Sequence, residues 1–354
     1  MAMSPAEPKS PPRRVLFLAD CGPQTGGGHV IRCLSLARAL LDRGAVCAMA
    51  ATPATGRVLD AFAGEGLERL DVADLPPEAL VEAVRAASEA WSADLAVVDH
   101  YRLEARHEQR LGAPVAVIDD LADRPHDCRL LVDPGFGRGA EDYTVLAPCG
   151  AAILTGPRYA LLTPTYAEAR AAALAIRRLA APPGRLLVSL GLMDLAGVTG
   201  RVMGLLAPLL GDIEVDVVVG SQAPSLPALA ALAAGRRRVR LHVDSREMPA
   251  LIGGADIGVG AGGSSTWERA VLGLPSISLI LAHNQAAVAQ KLDQLGACIA
   301  VDGREGGLGA GLSEAFASLL ADGALRQRLS ETSAALCDGK GAARVAEAIL
   351  ALET

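Results

Sequence analysis

The chain has 354 residues, 51% of them apolar, and a formal net charge of -7. That length exceeds the usual limit of one hydrophobic core, so two domains are expected, and the apolar content supplies a core for each. The acidic balance excludes a general nucleic-acid surface, which needs a basic face to meet the phosphate backbone.

Finer composition narrows the class further. The one basic run, Arg236-Arg-Arg-Val-Arg240, leads into a strand and reads as a solvated strand start. The seven cysteines are odd in number, irregularly spaced and without a C-x-x-C pair, which fits free thiols in a reducing cytoplasm. Residues 1–13 are rich in proline, serine and charge, lack the apolar core of a signal peptide and read as a disordered tail; no apolar run approaches a membrane span. A cytoplasmic protein with no membrane or nucleic-acid partner is expected, its oligomeric state open.

In chain order, Arg14-Val-Leu-Phe-Leu-Ala-Asp20 reads as a strand and Cys21 to Gly28 as a glycine-rich loop. His29 then opens a helix with apolar positions at Val30, Leu34, Ala37 and Leu41. Further apolar strands follow at 46–51, 95–99, 115–119 and 130–133, alternating with helical stretches, which implies a parallel sheet covered on both faces. This N-terminal domain should span residues 14–165 and an interdomain linker 166–184, ending at Pro182-Pro-Gly184. The C-terminal domain, residues 185–354, repeats the pattern with strands at 185–190, 215–219, 239–243, 256–259 and 276–281. Its last helix, 342–352, could close that domain or cross back onto the first.

Ligands of open α/β sheets bind beyond the carboxyl ends of the strands, so the loops there should carry the chemistry. Ala255 to Glu268 reads as a short strand, a glycine-serine turn and a helix start, a socket in which free amides and the helix dipole hold a diphosphate without a cation. Glu268, one turn into that helix, is placed to accept ribose hydroxyls. The familiar nucleotide motifs fail. Gly26-x-Gly28 lacks the third glycine of the dinucleotide fingerprint, the second strand ends at Thr52 rather than at an acid, and Lys9, Lys291 and Lys340 are not placed as a P-loop lysine. His126, Cys128, Asp123 and Asp127 share a loop without an ordered ligand spacing and read as turn chemistry, so no metal and no cofactor is assigned. His29 is the strongest catalytic candidate, since the positive end of a helix dipole favours the neutral imidazole that can act as a base. His100, between Asp99 and Tyr101 at a strand end, is the second.

Five segments then occur in order: Gly27-Gly-His-Val-Ile-Arg-Cys-Leu-Ser-Leu-Ala37, Val98-Asp-His-Tyr101, Ile118-Asp-Asp-Leu-Ala-Asp-Arg-Pro-His-Asp-Cys128, Leu154-Thr-Gly-Pro-Arg-Tyr-Ala-Leu-Leu162 and Gly260-Ala-Gly-Gly-Ser-Ser-Thr-Trp-Glu268. Together they resemble the UDP-2,4-diacetamido-2,4,6-trideoxy-β-L-altropyranose hydrolase (PseG) family of pseudaminic acid biosynthesis. The resemblance implies a GT-B fold, two Rossmann-like α/β domains with parallel sheets facing an interdomain cleft. It implies water attack at the anomeric carbon of a UDP-sugar with inversion, releasing UDP, in a pathway that supplies surface or flagellin glycosylation.

By the same resemblance His29, Asp99, His100 and Tyr101 are catalytic. Gly27, Gly28, Arg32, Gly191, Asp194, Met248, Gly262, Gly263, Ser264, Ser265, Thr266, Glu268, Asn284 and Gln285 bind the UDP-sugar. The chain departs from the family at Gly191-Leu-Met-Asp194, where members usually carry Gly-Gly-Ser-Asp, and this bears on sugar specificity. Three readings stand: the hydrolase, a UDP-sugar glycosyltransferase on the same fold, and a catalytically silent UDP-sugar-binding protein.

Overall fold

The computed structural model describes residues 11–22, 25–178, 182–304 and 307–353; residues 1–10 of the expected tail lie outside them. The first half runs β1 (Arg14–Ala19), α1 (Gly28–Leu41), β2 (Val46–Ala51), α2 (Pro53–Phe62), β3 (Leu67–Asp71), α3 (Pro77–Trp91), β4 (Leu95–Asp99), α4 (Ala105–Glu108), β5 (Val115–Ile118), β6 (Leu130–Asp133) and β7 (Ala152–Thr155). The second half runs α5 (Pro164–Arg178), β8 (Arg185–Ser189), α6 (Val198–Leu206), β9 (Glu214–Val219), α7 (Leu226–Gly235), β10 (Val239–Val243), α8 (Met248–Gly254) and β11 (Ile257–Ala261). It continues through α9 (Ser265–Val271), β12 (Ser276–Ile280), α10 (His283–Leu295), β13 (Ile299–Asp302), α11 (Leu308–Ala321), α12 (Gly323–Leu336) and α13 (Gly341–Ala351).

The strands form two all-parallel sheets, ordered β3-β2-β1-β4-β5-β6-β7 and β10-β9-β8-β11-β12-β13. Strand β1 shows why the first sheet is covered on both faces. Val15 and Phe17 point into one core with Cys33, Leu36 and Leu40 of α1, while Leu16 and Leu18 point into the other with Leu80, Val81 and Val84 of α3. Each such side chain contributes about 1.5–3 kcal/mol by leaving water. The second sheet is buried in the same way, Val188 and Val217 on one face, Leu187 and Val218 on the other.

Helix α5 packs within the second half, and α13 crosses back to the first. Residues 166–184, expected as the linker, contain most of α5, whose Arg177 donates to the carbonyls of Leu272, Ala255 and Ile252 in the second half. Helix α13 inserts Val345, Ala346 and Ile349 into the core that α1 shares with the first sheet, and Arg13 donates to the carbonyls of Ile349 and Leu352.

In each sheet the strand order reverses between neighbours, at β1/β4 and at β8/β11. A crevice opens at such a switch point beyond the strand ends. The registers Ala19↔Asp99 and Ser189↔Gly260 put the loops after all four strands at these two crevices, which face each other.

Candidate active site between the sheets

The cleft between the two switch points has a volume of about 570 Å³ and is lined from both halves. On its N-terminal side, Gly26 at φ +74° turns the chain so that α1 begins at Gly28. His29 and Arg32, three residues apart, share one face of α1. Both meet Asp99 at the end of β4: His29 Nδ1 lies 2.5 Å from Asp99 Oδ1, and Arg32 donates from Nε to Oδ2 at 2.5 Å and from Nη2 to Oδ1 at 2.6 Å.

Asp99 is fully buried. Burial alone would oppose its charge, but the Arg32 guanidinium and the His29 ring more than offset this and hold its carboxyl well below the usual range. A bare nitrogen lone pair 2.5 Å from a carboxylate oxygen would be repelled, so His29 Nδ1 carries the proton and donates. Nε2 is then the ring's basic nitrogen.

The remaining Arg32 nitrogen, Nη1, donates to Asp120 Oδ2 at 2.7 Å, and Asp120 Oδ1 accepts the Tyr101 hydroxyl at 2.9 Å. Tyr101 stands edge-on to His29, ring centroids 4.5 Å apart and planes at 88°. Arg32, expected to bind substrate, lines the cleft and is also paired with the two carboxylates of Asp99 and Asp120. His100 is turned away from the cleft. Its Nδ1 accepts the Arg102 amide at 3.2 Å, and burial, only partly offset by Asp20, pulls its pKa down to about 4.

Asp120 belongs to the site although it was not among the expected residues. The signal was its place in Ile118-Asp-Asp120, directly after a buried strand. The rest of that segment braces it. Asp119 accepts the amides of Leu121 and Ala122, and the single Tyr143 hydroxyl proton is shared between the carboxylates of Asp119 and Asp133, each 3.0 Å away. His126 lies against Glu108 at 2.8 Å; burial disfavours its charge, but the carboxylates of Asp119 and Glu108 outweigh this and raise its pKa to about 9. Arg138, also unforeseen, joins Asp133 at 2.5 Å and lines the cleft.

On the C-terminal side, β11 runs to Ala261, two residues past the expected end, so the turn begins at Gly262. The Gly262 amide goes to the Leu279 carbonyl, while those of Gly263, Ser264 and Ser265 have no backbone partner among the described residues. Helix α9 has only seven residues, so its dipole is small and the turn's amides are the main backbone donors on this side of the cleft. The turn nearly touches the start of α1: a Cβ on Gly28 would lie 3.1 Å from Ser264 Oγ. Thr266 is held inward, its hydroxyl bonded to the Ala261 carbonyl. Glu268 is half-buried on the cleft wall; burial pushes its pKa up, with Arg269 and a hydrogen bond from Tyr166 opposing that shift.

The loop after β8 lines the cleft with Gly191, Leu192, Met193 and Asp194. Gly191 adopts φ +101°, as a glycine there can. Asp194 is buried and its carboxylate accepts the Thr199 amide, the Ser225 amide and the Ser225 hydroxyl, so it anchors the turn. Leu192 reaches across to the N-terminal side, where a Cβ on Gly27 would come within 3.2 Å of its Cδ1. Met193 and Met248 line the cleft. From α10, Asn284 donates to the Tyr101 hydroxyl at 3.3 Å, and Gln285 Oε1 accepts the Leu281 amide at 2.9 Å.

Two parallel Rossmann-like sheets with facing switch points define the GT-B fold, and solved structures carry the same architecture. Acinetobacter baumannii MurG aligns with a TM-score of 0.65 at 17% identity, over 96% of this chain and all of the other (100%). The S. aureus MnaA–UDP complex aligns with a TM-score of 0.66 at 10% identity, over 95% of this chain and 96% of the other. The spinosyn rhamnosyltransferase SpnG with thymidine diphosphate gives 0.60 at 20% identity, over 94% and 100%.

No family model matches the chain. In sequence it is similar to the UDP-2,4-diacetamido-2,4,6-trideoxy-β-L-altropyranose hydrolase of Campylobacter jejuni, 28% identical over 162 residues, which is 44% of this chain and 55% of that protein. The match thus spans about half the length of that relative. Among the described residues no helix is long and apolar enough to cross a membrane.

Proposed function

We propose that the protein is an enzyme that hydrolyses a UDP-linked 2,4-diacetamido-2,4,6-trideoxyhexose to free sugar and UDP, by water attack on the anomeric carbon with inversion. One observation carries this reading: His29, its Nδ1 proton committed to buried Asp99, lines the cleft opposite three free backbone amides. In this mechanism Nε2 takes the proton of the attacking water, a contribution of about 10²- to 10⁴-fold. The amides of Gly263, Ser264 and Ser265 stabilise the negative charge that develops on the departing diphosphate. Glu268 accepts the ribose hydroxyls. Tyr101 and Asn284, already bonded to each other across the cleft, position the sugar.

Likeness to the Campylobacter jejuni hydrolase supports the reaction and the sugar class, and a UDP complex among the structural neighbours supports the nucleotide. The test is incubation with a panel of UDP-sugars without any acceptor. UDP and free sugar in equal amounts are expected, with His29→Ala lowering kcat more than it changes KM. Release of UDP only when an alcohol acceptor is added would make the protein a glycosyltransferase instead.

A further inference from the structure

Arg269 lies beneath the glycine-serine turn and is 5% exposed. Its Nη2 donates to the Ala261 carbonyl at 2.9 Å, to Thr266 Oγ1 at 3.3 Å and to Ser278 Oγ at 3.5 Å; its Nη1 donates to Ser265 Oγ at 3.2 Å. Every one of these partners is neutral. Arg32, equally buried, holds two carboxylates, whereas the acid next to Arg269 in sequence, Glu268, takes its hydrogen bond from Tyr166. The chain also makes room for this guanidinium, because a Cβ on Gly260 would overlap it.

A cation taken out of water without a bonded counter-ion is costly, and a neutral side chain could fill the same space. What the charge gains is position. It is one hydrogen bond from Ser265, in the turn whose free amides face the cleft.

We propose that Arg269 is a built-in counter-charge for the diphosphate of the bound nucleotide, a positioning residue that acts through the turn above it. The proposal rests on the reading that this turn holds UDP. Field from a buried charge is weakly screened by solvent and salt, so the guanidinium favours a dianion at the turn and offsets charge gathering on the leaving group. It does nothing for an uncharged nucleoside. Loss of this charge should therefore split UDP from uridine binding, which loss of a merely structural arginine would not.

The experiment measures UDP binding by calorimetry and uridine binding by ligand-detected NMR for the parent, Arg269→Met and Arg269→Lys, with a thermal melt of each. Arg269→Met should weaken UDP by a factor on the order of 10 to 100 and leave uridine unchanged. Arg269→Lys, which keeps the charge, should stay within about threefold of the parent for both ligands. Equal losses for UDP and uridine, or full UDP affinity in a folded Arg269→Met, would overturn the proposal. Should Arg269→Met fail to fold, Arg269→Lys decides: a folded Arg269→Lys with selective loss of UDP overturns the role of charge, and retention supports it. A parent that binds no UDP would overturn the placement of the nucleotide itself, a result visible before any variant is compared.

Discussion

Replacing Asp99 with asparagine removes a charge while keeping shape, and the consequences follow from its contacts. The carboxylate accepts from His29 Nδ1 and from Arg32 Nε and Nη2, all at 2.5–2.6 Å. An amide has one accepting oxygen and one donating nitrogen, so its nitrogen must face either an Arg32 donor or His29. Facing His29, it makes Nδ1 the acceptor and moves the ring proton to Nε2, which removes the base. Asp99→Asn should therefore lower kcat by about 10²- to 10⁴-fold. It also leaves Arg32 with Asp120 as its one carboxylate, at a cost near the lower end of a broken buried ion pair, about 3 kcal/mol, or roughly 6 to 12 °C in melting temperature. Circular-dichroism melts and acceptor-free turnover measure the two effects, and UDP calorimetry serves as a control because the glycine-serine turn lies in the other half. Turnover and melting both at parental values would refute the reasoning. A lower melting temperature with normal kcat would reduce Asp99 to a structural anchor.

Three further outcomes are expected. Glu268→Ala should weaken UDP binding by about 1–3 kcal/mol, the range for leaving polar partners unsatisfied; unchanged affinity in calorimetry rules out the ribose contact. Leu192→Gly combined with Met193→Ser should change kcat/KM between UDP-sugars by more than it changes the UDP inhibition constant, whereas a change in UDP inhibition alone assigns this loop to the diphosphate. His126, raised to about 9 between Asp119 and Glu108, contributes stability that is fully present below its unfolded value near 6.5 and lost as pH rises through 9. The melting-temperature gap between parent and His126→Gln should accordingly narrow from pH 6.5 to pH 9.5, and a gap independent of pH contradicts the charged pairing.

The sequence revealed the interior of both sheets because central strands such as Leu95–Asp99 are buried on both faces and read as continuous apolar runs. Strands β3, β7 and β13 were not expected, and all three lie at sheet edges. β3 reads Leu-Glu-Arg-Leu-Asp, with its charges in solvent, and carries no such run. In the site, residues fixed by local backbone were legible: the glycine turn, His29 at the start of α1 and Tyr101 after β4. Pairings made only in the tertiary fold were not. Arg32 and Asp194 look like ligand-binding groups along the chain, and what the chain does not show is that Arg32 also pairs with Asp99 and Asp120, which lie 67 and 88 residues away. Asp194 likewise accepts the Ser225 amide, 31 residues away.

Hydrolysis in ¹⁸O-labelled water tests the central claim most directly. If His29 activates water against the anomeric carbon, the label enters the sugar's anomeric hydroxyl, the first sugar formed has inverted configuration, and UDP leaves unlabelled. Label in the terminal phosphate of UDP would mean attack at phosphorus and would contradict the account.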